Sequence, residues 1–213
     1  MRQVRINIID YGMGNIRSIS NAMQLLNCEV NLVSDAKSII DCDALILPGV
    51  GSFGEAMKNL RARKLVEPIV TAVENYSIPV LGICLGMQLL ANSSEEGGFH
   101  KGLSLIPGVI KKIPSSKDLK LPHMGWNDIF VKHSQPIFRN ISNNSDFYFV
   151  HSYRFECDDL YISSITNHGV DIVSSVHKGH ILGVQFHPER SQRKGILILQ
   201  NFVKYIESNI KNR

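Results

Sequence analysis

Short β-rich runs alternate with helical segments through the first half of the chain, and few folds accommodate that alternation. Residues 5–9, 30–33, 44–47 and 80–83 predict strands, the third of them ended by Pro48-Gly49. Between them, 15–26 predicts a helix with Ile16, Ile19, Met23 and Leu26 on one face. Residues 56–76 predict a helix broken near Pro68, and 85–91 predict the start of another. Strands linked by helices at this spacing run parallel, because a parallel pair needs a crossover long enough to hold a helix.

The second half changes character. Residues 109–113, 128–131, 147–150, 161–165, 170–177 and 181–186 read as short strands separated by turns, and 196–210 closes the chain as an amphipathic helix. The coil-rich stretch 92–122, with Gly97-Gly98, is expected to be the most mobile part. With 213 residues, 44% of them apolar, and no repeat, low-complexity tract or long linker, one sizeable core is expected. The expected fold over residues 1–213 is a single α/β domain. Its central, mostly parallel sheet is flanked by helices, with an added antiparallel portion in the C-terminal half.

Charge excludes more than it suggests. The formal net charge is +4, but Lys and Arg are spread along the chain without a basic run or an interleaved aromatic platform, which argues against nucleic-acid binding. No stretch approaches the ~18 apolar residues of a membrane span, and residues 1–10 lack the apolar segment and cleavage site of a signal peptide. Cys28, Cys42, Cys84 and Cys157 form no CxxC pair, which suits a reducing, cytoplasmic setting. His177 and His180 have no further ligand nearby in sequence, so no zinc site is expected, and no cofactor is expected for this chain.

Two segments carry the chemistry. In Gly82-Ile83-Cys84-Leu85-Gly86-Met87-Gln88 a cysteine sits between glycines at a strand-to-helix junction, the arrangement of a nucleophile elbow. The glycines permit a sharp bend, the positive end of the following helix favours thiolate, and the Leu85 amide points to where an acyl oxygen would lie. Cys28, Cys42 and Cys157 lack such a setting and read as packed side chains. In Gln185-Phe186-His187-Pro188-Glu189 a histidine and a carboxylate lie two residues apart, on one side of an extended chain. Glu189 can accept from one ring nitrogen of His187 and hold its tautomer while the other nitrogen serves Cys84.

These segments, together with Asp10-Tyr11-Gly12-Met13-Gly14-Asn15, Pro48-Gly49-Val50-Gly51-Ser52-Phe53, Pro122-His123-Met124-Gly125-Trp126-Asn127 and Tyr148-Phe149-Val150-His151-Ser152-Tyr153, make essentially the whole chain resemble the class I, triad-type glutamine amidotransferases. Within that family, which is flavodoxin-like, it is similar to glutaminase subunits of imidazole glycerol phosphate synthase. The resemblance implies that Cys84 attacks the amide of glutamine, His187 handles protons and Glu189 orients it. It implies an oxyanion site at Val50, Gly51 and Leu85, with substrate held by Gly51, Gln88, Glu96, His151, Ser152 and Tyr153. It also implies a heterodimer with a cyclase subunit that receives channelled ammonia and reshapes the oxyanion loop, leaving the isolated chain nearly silent. Trp126, Tyr148 and Arg190 match interface positions. Ser52 stands where the family has alanine and Arg190 where it has lysine, and an arginine is not an equivalent donor.

Other readings stay open at this level. Gly12-Met13-Gly14 with Asp35 imitates a dinucleotide fingerprint, but Arg17 occupies the third glycine position, so a turn capping the first helix is the better reading. Arg190-Ser191-Gln192 and Ser145-Asp146-Phe147 leave room for a paralogous subunit feeding a sugar amidotransferase in surface-polysaccharide synthesis. A vitamin B6-type glutaminase shares the triad but not the segment 122–127. A non-catalytic binding subunit and a cysteine protease of similar fold complete the set.

Overall fold

The computed structural model describes residues 2–115 and 119–211. The first half follows the expected alternation: β1 (Arg5–Ile9), α1 (Ile16–Leu25), β2 (Glu29–Val33), β3 (Ala44–Leu47), α2 (Phe53–Ala62), α3 (Val66–Glu74), β4 (Val80–Ile83) and α4 (Leu85–Leu89). There follow β5 (Ser93–Ser94), β6 (His100–Lys101), β7 (Val109–Lys112), β8 (His123–Val131), β9 (Ser145–His151), β10 (Tyr153–Glu156), β11 (Ile162–Asn167), β12 (Asp171–Lys178), β13 (Ile181–Val184) and α5 (Gln192–Lys211).

The main sheet has nine strands in the order β2-β1-β3-β4-β13-β12-β11-β8-β9. From β2 to β13 the pairs are parallel, and from β13 to β9 they are antiparallel. This is the expected single α/β domain, with the antiparallel part added by the C-terminal half. β3, β4 and β13 are buried throughout, as central strands covered on both faces must be. Alternate residues then face alternate layers. Ile9, Leu45, Leu47 and Val80 pack against α2 and α3 through Phe53, Met57, Leu60 and Ile69. Ile6, Ile8, Ile46, Leu81 and Ile83 pack against α1 and α5 through Ile19, Met23, Ile198 and Phe202.

Several boundaries differ from expectation for identifiable reasons. The break in 56–76 falls at Lys64, not Pro68. Lys64 takes φ +57, its N–H donates to the Arg61 carbonyl, and the Leu65 N–H donates to the Leu60 carbonyl. That is a helix-ending Schellman motif without its usual glycine, held by contact between buried Leu60 and Leu65. Pro68 instead lies in the first turn of α3, where its missing N–H costs nothing. α5 starts at Gln192 rather than 196, and the expectation fell short because polar Gln192, Arg193 and Lys194 hide its first turn from an apolar periodicity. In the stretch expected to be mobile, β5, β6 and β7 join the unforeseen β10 in a second sheet, ordered β10-β7-β5-β6. Part of that stretch, 116–118, lies outside the described residues.

Two close approaches lock the segments that matter later. A Cβ on Gly86 would fall inside the Leu47 carbonyl, so only glycine lets α4 lie against the end of β3. A Cβ on Gly195 would likewise collide with the Pro188 carbonyl, where α5 packs on the 187–190 turn. Overpacking against backbone cannot be relieved by a rotamer change. Gly86→Ala is therefore expected to lower the free energy of urea unfolding by about 3 kcal/mol; an unchanged unfolding midpoint would show that the β3–α4 contact is looser than drawn.

Candidate active site

β4 and β13 lie side by side in parallel register, Gly82 opposite Gly183 and Ile83 opposite Val184. Their carboxyl ends consequently deliver Cys84 and residues 185–189 to one place at the edge of the sheet. Cys84 adopts φ +54 and ψ −111, a conformation disfavoured for a residue with a Cβ by about 1–3 kcal/mol. It is held there by its own N–H donating to the Val184 carbonyl at 2.8 Å and its carbonyl accepting from Gln88 N–H at 3.3 Å. α4 has only five residues. It therefore offers Cys84 the local N–H of Leu85 rather than the summed field of a long helix, which corrects the sequence expectation.

His187 reaches the same place from the other side. Its backbone N–H donates to the Tyr148 carbonyl at 2.9 Å, and its Nδ1 meets Glu189 Oε1 at 2.9 Å. Both side chains are buried, and a second donor, Asn15 Nδ2, reaches the same carboxylate oxygen at 3.3 Å. Burial alone would lower the His187 pKa, but the adjacent Cys84 sulfur and the Glu189 carboxylate outweigh it and raise it. His187 is thus bound to Glu189 through Nδ1 and has its Nε2 beside the cavity, free of any hydrogen bond among the described residues, an arrangement that can donate a proton and then, once neutral, take one.

A cavity of about 310 Å³ opens over the cysteine. Val50, Gly51, Cys84, Leu85, Gln88, Glu96, His151, Ser152, Tyr153 and His187 all line it, while Glu189 lies behind His187. Gln88 uses both amide hydrogens on protein acceptors, the Tyr153 carbonyl at 3.2 Å and Gln185 Oε1 at 2.9 Å. Its own carbonyl oxygen is what remains for a ligand. Glu96 Oε2 accepts from the Phe53 N–H at 2.7 Å, so one of its oxygens caps α2, a role that the Ser52 side chain does not take. The Pro48 carbonyl, at the start of the loop before α2, is clamped by the buried Tyr11 hydroxyl at 2.7 Å.

Trp126 and Tyr148 are cross-strand partners on β8 and β9 and meet edge to face with centroids 6.2 Å apart. Arg190 lies over the Tyr148 ring at 5.9 Å. Met124, Trp126 and Phe130 share the outward face of β8 and are exposed. The three residues assigned to an interface are therefore one surface cluster, and Tyr148 lies on β9, the strand that also supplies Val150 to the cavity.

Sequence reasoning gave no role to Asn15, His123 or Gln185. Asn15 does not cap α1 with its side chain: its amide reaches Glu189 and its Oδ1 accepts from Ser18. The turn after β1 thus supports the triad, while Asp35 caps a local turn through Ser38 and Lys37. His177 and His180 point to different partners, Ser163 and the Val73 carbonyl. Burial pushes the thiols of Cys28, Cys42 and Cys157 up to about 11, 12 and 12, as suits packed side chains.

His123 and His151 form a directional relay beneath the cavity. His151 Nδ1 must carry hydrogen, since it faces the Tyr153 carbonyl at 2.8 Å. Its Nε2 then accepts from His123 Nδ1 at 3.0 Å, and His123 Nε2 accepts from Asn127 Nδ2 at 3.0 Å. Burial, aided by His168, pushes His123 down to about 4, and burial pushes His151 down to about 3. Below pH ~6.5 the unfolded chain binds two protons that the folded chain refuses until about pH 4, so stability falls across that window. His187, with its pKa raised, works the other way: near pH 7 the unfolded histidine has lost the proton that the folded one keeps, so acidification through pH ~6.5 gains stability there and offsets a minor part of that loss. Urea unfolding at pH 7 and pH 5 should differ by about 2–4 kcal/mol, and His123→Gln, which can still donate to His151, should remove about half of that difference; an undiminished difference in the variant would exclude His123 as its source.

The glutamine amidotransferase class-I family profile matches residues 7–206. The chain is 46% identical over 207 residues to imidazole glycerol phosphate synthase subunit HisH 1 of Parasynechococcus marenigrum (strain WH8102), covering 94% of this chain and 98% of the relative. It is 46% identical to subunit HisH of Sulfurimonas denitrificans, with 94% and 98% covered. Among solved structures, PurLQS from Thermotoga maritima superposes with a TM-score of 0.75 at 20% identity over 96% of this chain and 100% of that one. The Trypanosoma brucei CTPS glutaminase domain superposes with a TM-score of 0.65 at 18% identity over 95% and 94%. Those structures share the fold; the closer sequences share more, and the chain belongs to the class I glutamine amidotransferases, in the family of imidazole glycerol phosphate synthase HisH subunits.

Proposed function

We propose that this chain hydrolyses glutamine and passes the ammonia to a cyclase subunit that makes imidazole glycerol phosphate in histidine biosynthesis. The single observation that carries the chemistry is the β4–β13 register, which puts Cys84 and the Glu189-bound His187 on one cavity. The names of the relatives support this acceptor over a sugar amidotransferase.

In the proposed cycle the Cys84 sulfur attacks the side-chain amide carbon of glutamine. The oxyanion forms beside Leu85 N–H and the Val50–Gly51 peptide, where one well-placed donor contributes about 3 kcal/mol. His187 gives its Nε2 proton to the departing nitrogen and ammonia leaves. Neutral His187 then takes a proton from water as it attacks the thioester, and glutamate and the Cys84 thiolate are released. Glu189, buried and bound to Nδ1, stabilises the imidazolium each time it forms. Gln88, Glu96, His151, Ser152 and Tyr153 hold the substrate.

The Trp126–Tyr148–Arg190 cluster is proposed as the docking face for the cyclase subunit. Ammonia is mostly ammonium, and non-nucleophilic, in neutral water, so a protected route into the partner suits the chemistry; the pair would work in the cytoplasm without a metal or cofactor on this chain. Residues 1–213 would act as one amidotransferase domain. No helix of the described residues is long and apolar enough to cross a membrane.

Glutamate release should be weak for the isolated chain and rise at least tenfold, by the scale of one lost or gained oxyanion donor, when the cyclase subunit and its nucleotide ligand are added. Cys84→Ala should abolish that release while the complex still forms, and Glu189→Gln should lower kcat by about a hundredfold or more. Full turnover without the partner would sink the gating, and activity surviving in Cys84→Ala would sink the mechanism.

A further inference from the structure

We propose that Gln185 is a catalytic residue whose side-chain amide donates a hydrogen bond to the Cys84 sulfur and holds it as thiolate. This rests on the reading of Cys84 as nucleophile. Gln185 is fully buried and follows Val184, the residue opposite Ile83, so it emerges beside Cys84 where β4 and β13 end. Its Nε2 lies 3.7 Å from Cys84 Sγ.

The orientation of that amide is determined, because every alternative breaks a neighbour. The Tyr153 carbonyl can only accept, so the end of Gln88 facing it at 3.2 Å is Nε2. The second hydrogen of Gln88 Nε2 goes to Gln185 at 2.9 Å, so that end of Gln185 must be Oε1. Its NH2 then faces the sulfur. The Tyr153 carbonyl is itself fixed by a second donor, His151 Nδ1–H, so the His123–His151 chain and the Gln88–Gln185 chain meet on that one acceptor. A flipped Gln185 would set its NH2 against the NH2 of Gln88 inside the protein, which low-dielectric surroundings penalise.

The sulfur's other polar neighbour sharpens the point. The Val150 carbonyl lies 3.9 Å from Sγ, an acceptor that suits S–H and repels S⁻. Gln185 does the reverse: its NH2 presents a donor to the sulfur. The effect is greatest when negative charge sits on sulfur, that is before attack and again when thiolate leaves the thioester. In the thioester itself the sulfur is neutral and the hydrogen bond weakens, so the contact contributes to the reaction steps rather than to glutamine affinity.

Gln185→Glu is nearly isosteric and keeps the oxygen that accepts from Gln88, but replaces the donor by an acceptor. Gln185→Met removes the donor without adding charge and serves if the carboxylate variant does not fold. The readout is the iodoacetamide alkylation rate of Cys84 in the full chain, localised by peptide mass spectrometry against Cys28, Cys42 and Cys157. The ratio of rates at pH 6.5 and pH 9.5 should fall about tenfold, as expected for a lost hydrogen bond to a charged group. With the cyclase subunit and its ligand present, kcat should fall by a similar factor and KM for glutamine by less than about twofold in either direction. An unchanged alkylation ratio, or a change confined to KM, would overturn the proposal and leave Gln185 as a support for Gln88. Glutaminase activity persisting in Cys84→Ser would instead refute the nucleophile reading, while the alkylation ratio still decides the Gln185 contact.

Discussion

The pairing of β4 with β13 is the contact on which the rest depends. These strands lie a hundred residues apart in the chain, yet Ile83 lies opposite Val184 and the Cys84 N–H closes on the Val184 carbonyl at 2.8 Å. A slip of one residue would turn every side chain of a strand to its other face. Here it would send Gln185 and His187 away from the cysteine together. The two hydrophobic layers prevent the slip: Leu81 and Ile83 face the α1–α5 side with Leu182 and Val184. Core packing thus sets catalytic geometry to within a residue.

Around that pairing the structure holds strain in place by close contact. Cys84 keeps its positive φ because its backbone is bonded at both ends and α4 is pressed onto the end of β3 through Gly86. The 187–190 turn is pinned in the same manner by α5 at Gly195 and by the Ser191 hydroxyl, which donates to the His187 carbonyl at 2.6 Å and accepts from the Tyr148 N–H at 2.9 Å. Nucleophile and base are therefore each fixed to β strands and neighbouring backbone, which suits a site whose groups must meet within a few tenths of an ångström.

Polar groups beneath the cavity form a second framework. Asn127, His123, His151 and Gln88 find acceptors in one another, in the Tyr153 carbonyl and in Gln185 Oε1. Such a buried network stabilises one arrangement because any single flip leaves an unpaired group. Two histidines with lowered pKa keep it neutral through the physiological range, while His187, two residues from a buried carboxylate, is pushed the opposite way. Imidazoles in one small region are thereby tuned to different tasks by what surrounds them.

What the sequence by itself determined follows from local rules. The strand–helix alternation, the parallel half-sheet, the glycine-flanked Cys84 and the His187–Glu189 spacing are short-range patterns, and each is present in the structure where it was expected. Less legible were features whose signals are nonlocal: β10 and the second sheet, and the Lys64 helix end without glycine; the grouping of residues 50, 84, 96, 151 and 187 was expected from the family resemblance, not from any local pattern. Only the tertiary structure decided that Asn15 serves Glu189, that His123 orients His151 and that Gln185 faces the Cys84 sulfur. The physical reason is that a hydrogen bond between residues a hundred positions apart depends on strand register and on which amide hydrogens are already taken, and neither is written in any one segment of the chain.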